Sequence, residues 1–131
     1  KTIPYMKDFS VNPSQTLSFE DFITTLISDL KAAESLLAVM PDIIQIKDNA
    51  SIIGNDIFTA YRQNRLNYWA VKGLLARIYL FNEDKPNALA SALEVINSEK
   101  FHFVNGNTNT TNANLATSNA IFSTEHLFSV Y

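Results

Sequence analysis

Asn67-Tyr68-Trp69-Ala70-Val71-Lys72-Gly73-Leu74-Leu75-Ala76-Arg77-Ile78-Tyr79-Leu80-Phe81-Asn82, residues 67–82, is the stretch whose reading decides the fold. Laid out at about 100° per residue, Tyr68, Val71, Leu74, Leu75, Ile78 and Tyr79 share one face. Trp69, Gly73, Ala76 and Leu80 fall on nearly the opposite face, and only Lys72 and Arg77 are left to reach water from the flanks. A helix that is apolar on two sides is packed between neighbours, and Gly73 and Ala76 have too little side chain to hold a neighbour away. The spacing predicts a helix wedged within a stacked helical array.

Working outward, the turn Asn82-Glu83-Asp84-Lys85 leads to Pro86, which is tolerated in the first turn of a further helix running to about Ser98. Ala88, Ala92 and Val95 form a small-residue stripe on it, broadened by Leu89, Leu93 and Ile96. Two apolar-faced helices joined by so short a turn predict an antiparallel helical hairpin over 67–98. Upstream, Ser18 is a natural N-cap, with Glu20 and Asp21 placed to favour the positive end of a helix dipole. Phe19, Phe22, Ile23, Leu26, Ile27, Leu30, Ala33 and Leu37 then recur at the helical period, predicting a helix over 19–39 stopped by Pro41. Residues 1–17, with Pro4 and Pro13, read as an extended lead-in without regular structure. Residues 42–66 hold six isoleucines without a sustained period and read as a long connection. Residues 104–120, rich in Asn and Thr, read as a polar loop, and 125–131 as a short β-prone terminal strand.

With 131 residues the chain is one domain, 1–131, large enough to bury a core. Apolar residues at 47% against 18% charged place it among globular rather than disordered chains. A net charge of −3 without a basic run gives no electrostatic footprint for nucleic acid. The absence of cysteine excludes disulfides, thiolate nucleophiles and Cys-ligated metals within this stretch. No apolar run approaches the roughly 20 residues that a membrane helix needs. The chain starts at Lys1 without a leader and stops on apolar Tyr131, so it reads as an internal piece of a longer protein.

Residues 67–98 also resemble a tetratricopeptide unit. Leu75, Ala76, Tyr79, Ala88 and Ala92 follow that repeat's order of large, small and aromatic positions, while Glu83 stands where the repeat usually has Gly, and Val95 where Ala is commoner. A wider order of segments is more specific. It runs through Ile3-Pro4-Tyr5, Ile27-Ser28-Asp29-Leu30 with Ala33, Arg65, Leu74-Leu75-Ala76-Arg77-Ile78-Tyr79-Leu80, Glu83-Asp84, Val95-Ile96 and Glu125-His126-Leu127-Phe128. In that order, over nearly the whole chain, it resembles the SusD/RagB family. Two departures stand out: the family's lipidated N-terminal Cys with its signal sequence is missing, and so is the long C-terminal half that carries much of the ligand surface.

The resemblance implies an all-α fold of tetratricopeptide-like antiparallel hairpins with long connecting loops and a short terminal β segment. It implies a lipoprotein on the extracellular face of the bacterial outer membrane, lipid-anchored outside this segment. Such a protein captures glycans or other nutrients and lids a SusC-like TonB-dependent transporter, and this segment serves mainly as scaffold and transporter contact. The rival expectation is a free-standing tetratricopeptide-like module that binds a peptide in its concave groove; a truncated enzyme domain ranks third.

Candidate ligand-binding residues are Tyr61, Arg62 and Trp69. Tyr61 and Arg62 sit in the long connection, where side chains meet ligands more readily than in a core, although solvated loop side chains are the commoner case. Trp69 offers an aromatic face to a sugar ring, but its helical position suits packing between helices better. Arg62, Arg65 and Lys72 form either a patch for an acidic partner or ordinary surface pairs with Asp56, Glu83, Asp84 or Glu34. Arg77, in its Leu-Ala-Arg context, is expected to brace the hairpin. Glu125-His126 are neighbours whose side chains diverge in a strand, and His102 stands apart, so no catalytic dyad or metal site is expected. The expectation is a non-enzyme that needs no cofactor.

Overall fold

The structure, a computed structural model, describes residues 2–6, 15–39, 66–101, 103 and 127. Its elements in chain order are β1 (Thr2–Pro4), β2 (Thr16–Ser18), α1 (Phe19–Ala38), α2 (Tyr68–Phe81) and α3 (Lys85–Asn97). The described chain is mostly helical, with one small sheet.

Each helix starts where a side chain takes over an orphan backbone donor. The Ser18 hydroxyl oxygen accepts from the Asp21 amide at 3.1 Å and donates to the Asp21 carboxylate at 2.6 Å, opening α1. The Asn67 side-chain carbonyl accepts from the Ala70 amide at 2.9 Å, opening α2. Asp84 caps α3 by accepting from the Asn87 backbone and side-chain amides at 3.3 and 2.7 Å, with Pro86 in the first turn. At the other end of α2, Glu83 adopts a left-handed φ of 61°. Its amide donates to the Leu80 carbonyl, and the Asp84 amide donates back to the Tyr79 carbonyl at 2.8 Å. That is the Schellman arrangement, which usually places Gly at the left-handed residue.

The three helices alternate in direction. Phe19 at the start of α1 meets Phe81 at the end of α2 edge to face, with ring centroids 5.8 Å apart. Lys72, near the start of α2, reaches both Glu34 near the end of α1 and Glu94 near the end of α3. So α2 runs against both of its neighbours and lies between them. The shared core is Leu30 from α1, Val71, Leu75 and Tyr79 from α2, and Ala88 from α3, with Leu26, Ile27, Ala33, Leu37 and Ile78 packed against it. Val71 has no exposed surface at all.

Two expectations need correction. Residues 1–17 do contain regular structure: β1 and β2 pair antiparallel, Thr2 opposite Ser18, Ile3 opposite Leu17 and Pro4 opposite Thr16. Pro4 is no obstacle, because the neighbouring Tyr5 amide is the one that donates across the pair, to the Gln15 carbonyl beside β2, so that the donor Pro4 lacks falls on the other side of β1, where no described strand pairs. The Tyr5 hydroxyl donates to the Asp29 carboxylate, and its ring meets Phe22 at 5.7 Å, tying the sheet to α1. That hydrogen bond to Asp29 holds the Tyr5 phenol above its ordinary pKa. The second correction concerns Leu80, expected on a covered face of α2 but 62% exposed. Two neighbouring helices do not reach all the way round a third, and Leu80 lies in the sector they leave open. The 42–65 part of the long connection and the polar loop 104–120 lie outside the described residues. Of the expected terminal strand only Leu127 is described, in a bend.

Candidate functional site

Lys72 sits at the seam of the three helices. Its ammonium lies 2.5 Å from a Glu34 carboxylate oxygen and 2.6 Å from one of Glu94, with only 8% of its side chain exposed. It also lies 5.7 Å from the centre of the Tyr68 ring. Burial alone pushes a lysine pKa down; hydrogen bonds to Glu34 and then Glu94 outweigh that and hold the ammonium above its ordinary value. Glu34 was among the expected partners, but in place of a surface pair the structure has a lysine buried between two partly exposed carboxylates, Glu34 at 25% and Glu94 at 51% exposure. A charge already matched twice is not on offer to an acidic partner.

A second feature is an open groove of about 530 Å³ between α1 and α2. Among the described residues, Ile23 and Leu26 form one wall, Leu74, Ile78, Leu80 and Phe81 the other, and Arg77 is the single charged one lining it. Leu80 and Phe81 are 62% and 68% exposed. Arg77 is also exposed, and among the described residues no carboxylate pairs with it. The expected brace between helices is therefore not what Arg77 forms among the described residues.

Asn67 was not singled out in the sequence beyond opening the predicted helix. It is 3% exposed, and while its carbonyl caps α2 its amide nitrogen donates to the Leu127 carbonyl at 2.8 Å. Leu127 also closes over Gly73: a Cβ added there would lie 2.7 Å from the Leu127 Cδ1. The close approach predicted from Gly73 thus exists, but the neighbour is Leu127 and not one of the described helices. An N-cap pattern was readable at Asn67; nothing in the sequence marks a partner at Leu127.

Of the candidate ligand residues, Tyr61 and Arg62 lie outside the described residues, as do Arg65, His102 and His126. Trp69 is described and is 8% exposed, its ring edge-on to Tyr68 and Phe101 at 5.0 and 6.5 Å. The side chain is thus enclosed by its neighbours, as its helical position suggested. Among the described residues no group of acids and histidines is placed to hold a metal, and no helix is long and apolar enough to cross a membrane. Comparison with protein-family models, curated proteins and solved structures returned no match.

Proposed function

We propose that this chain is the scaffold and partner-contact segment of a SusD-like lipoprotein that captures nutrients, glycans foremost, at the extracellular face of the bacterial outer membrane with a SusC-like TonB-dependent transporter. The observation that carries the reading is the place of α2. The helix bearing Leu74-Leu75-Ala76-Arg77-Ile78-Tyr79-Leu80 is gripped by antiparallel neighbours on two sides, yet keeps an apolar groove open. On this reading α2 and α3 form one tetratricopeptide-like hairpin, with Glu83 in the left-handed turn position where that repeat usually has Gly. A rigid stack with one open apolar sector suits holding a partner better than turning over a substrate, so no reaction and no cofactor are assigned to the segment. On this reading the lipid anchor lies outside residues 1–131, and Tyr61, Arg62 and Trp69 stay the segment's candidate ligand contacts.

The test is the full-length reading frame. It should carry a lipoprotein leader ending in Cys and lie beside a transporter gene, and the tagged protein should co-purify with that transporter from outer membranes. A frame with no such leader and no adjoining transporter removes the import assignment. The open groove also favours a second reading, a free-standing tetratricopeptide-like interaction module, which requires further helical pairs of the same pattern in the same frame.

A further inference from the structure

Among the described residues the walls of the groove come from two helices, α1 and α2, and this restricts what fills it. Backbone donors and acceptors within helices are already paired, so these two walls offer no free edge to an extended peptide. An occupant has to satisfy its own backbone, and a helix does so. From Leu74 to Phe81 the long wall extends roughly 10 Å, about two helical turns, which matches apolar residues spaced i, i+4 and i+7 on an incoming helix. The opposite wall, Ile23 and Leu26, is one turn of α1 and leaves the groove open above it.

Charge narrows the choice further. Among the described residues Arg77 is the one cation lining the groove, and it is exposed and has no carboxylate partner there. An exposed guanidinium beside an apolar floor is well placed to receive a carboxylate in a bidentate pair. An anionic lipid surface fits less well. Membrane-surface sites gather several basic residues, whereas the exposed acids Glu20, Asp21 and Asp29 lie on the neighbouring α1.

We propose that this groove docks an amphipathic helix of a partner protein, its apolar stripe seated on Leu74, Leu80 and Phe81 and a flanking carboxylate paired with Arg77. The proposal takes from the preceding section only that this segment contacts a partner, and its test needs no transporter. The probe is a fluorescent amphipathic peptide of about 14 residues with leucines at i, i+4 and i+7 and a flanking Glu, set against a twin with Lys in place of that Glu. Titrated into the whole chain at low salt, the Glu peptide should bind about fivefold more tightly than its twin, the size expected of an exposed ion pair. Arg77→Glu should reverse that preference, and Leu80→Gln should abolish binding of both peptides. Leu80 is largely exposed, so circular dichroism of the variant should match the parent. Equal binding of the twins, or binding that ignores both substitutions, overturns the proposal. So does self-association that Leu80→Gln removes, which would make a second copy the occupant, or a stronger response to anionic vesicles than to either peptide. Failure of the peptide test leaves transporter co-purification standing, and failure of co-purification leaves the peptide result standing.

Discussion

Taking the Lys72 ammonium out of water costs several kcal/mol, and two carboxylates at hydrogen-bond distance offset that cost. Lys72→Ala therefore removes the clasp and leaves a gap at the helical seam; we expect a loss of about 2–3 kcal/mol by urea unfolding. The partner acids soften the blow, since the Glu34 and Glu94 side chains are 25% and 51% exposed and can turn to water. Lys72→Met keeps the stem's packing but still leaves both carboxylates without their cation, so its stability should fall between the parent and Lys72→Ala. The folded pKa of Lys72 is raised, so its contribution is fully present below the ordinary lysine value of about 10.4 and declines only as pH climbs above it. Tyr5, also raised, titrates in the same alkaline window, so the quantity to follow is the stability difference between parent and Lys72→Met. That difference should be flat from neutral pH to about 9.5 and should shift against the parent above it; a change nearer neutrality would mean the clasp is not what titrates. Glu83 gives a second expectation. Its left-handed φ of 61° strains any residue with a Cβ. Glu83→Gly relieves that strain and loses some of the gain to the more flexible unfolded chain, for a net stabilisation of about 0.5–1 kcal/mol. A thermal midpoint below the parent's would contradict it.

Between elements, the contact that most invites a double-mutant cycle is α2 against Leu127. Gly73→Ala improves helix propensity by about 1 kcal/mol, but its new methyl would lie 2.7 Å from the Leu127 Cδ1. That atom ends a flexible side chain and is able to give way, so the single change should be near neutral. In a Leu127→Ala background the obstruction is gone, and the same substitution should stabilise by about 1 kcal/mol. Purely additive effects would mean that Leu127 does not rest on Gly73 in solution. The same helix shows how far local sequence carries. Ser18, Asn67 and Pro86 mark helix starts through chemistry within one turn, so the boundaries of α1, α2 and α3 were readable to within about a residue or two. Which apolar sector of α2 each neighbour covers is a long-range outcome. The sequence shows two apolar faces, whereas α1 and α3 share Val71, Leu75 and Tyr79, Leu127 takes Gly73, and Leu80 is left over. Lys72 misled for the same reason: a lone cation between apolar residues looks like a flank until both carboxylates arrive from other helices. Strands as short as β1 and β2 have no period to detect, and Pro4 argued against β1. The groove, although built from Leu74, Leu80 and Phe81 that were all visible in the pattern, exists only because two neighbours fail to close around the third helix.

At the scale of the molecule, the core is one body only if α1 and α3 depend on each other through α2, which they barely meet except by way of it. Leu30 tests this. It is the α1 member of the buried cluster and is 9% exposed, while Ala88 is the α3 member, and Val71, Leu75 and Tyr79 lie between them. Leu30→Ala should cost about 2–4 kcal/mol, the usual range for a buried Leu truncated to Ala. The sole tryptophan, Trp69, sits at the start of α2 against Phe101 and reports from outside α1. In the folded parent its emission should be blue-shifted and poorly quenched by iodide, as its 8% exposure requires. If the helices unfold as one unit, the Leu30→Ala midpoint read from Trp69 fluorescence should move as far as the one read from helical circular dichroism, and the two curves should superimpose. If α1 were only a loosely docked neighbour, the substitution would lower the dichroism midpoint and leave the fluorescence transition where it was. That result would dissolve the clasp, the shared core and the groove together, because each needs α1 held firmly against α2.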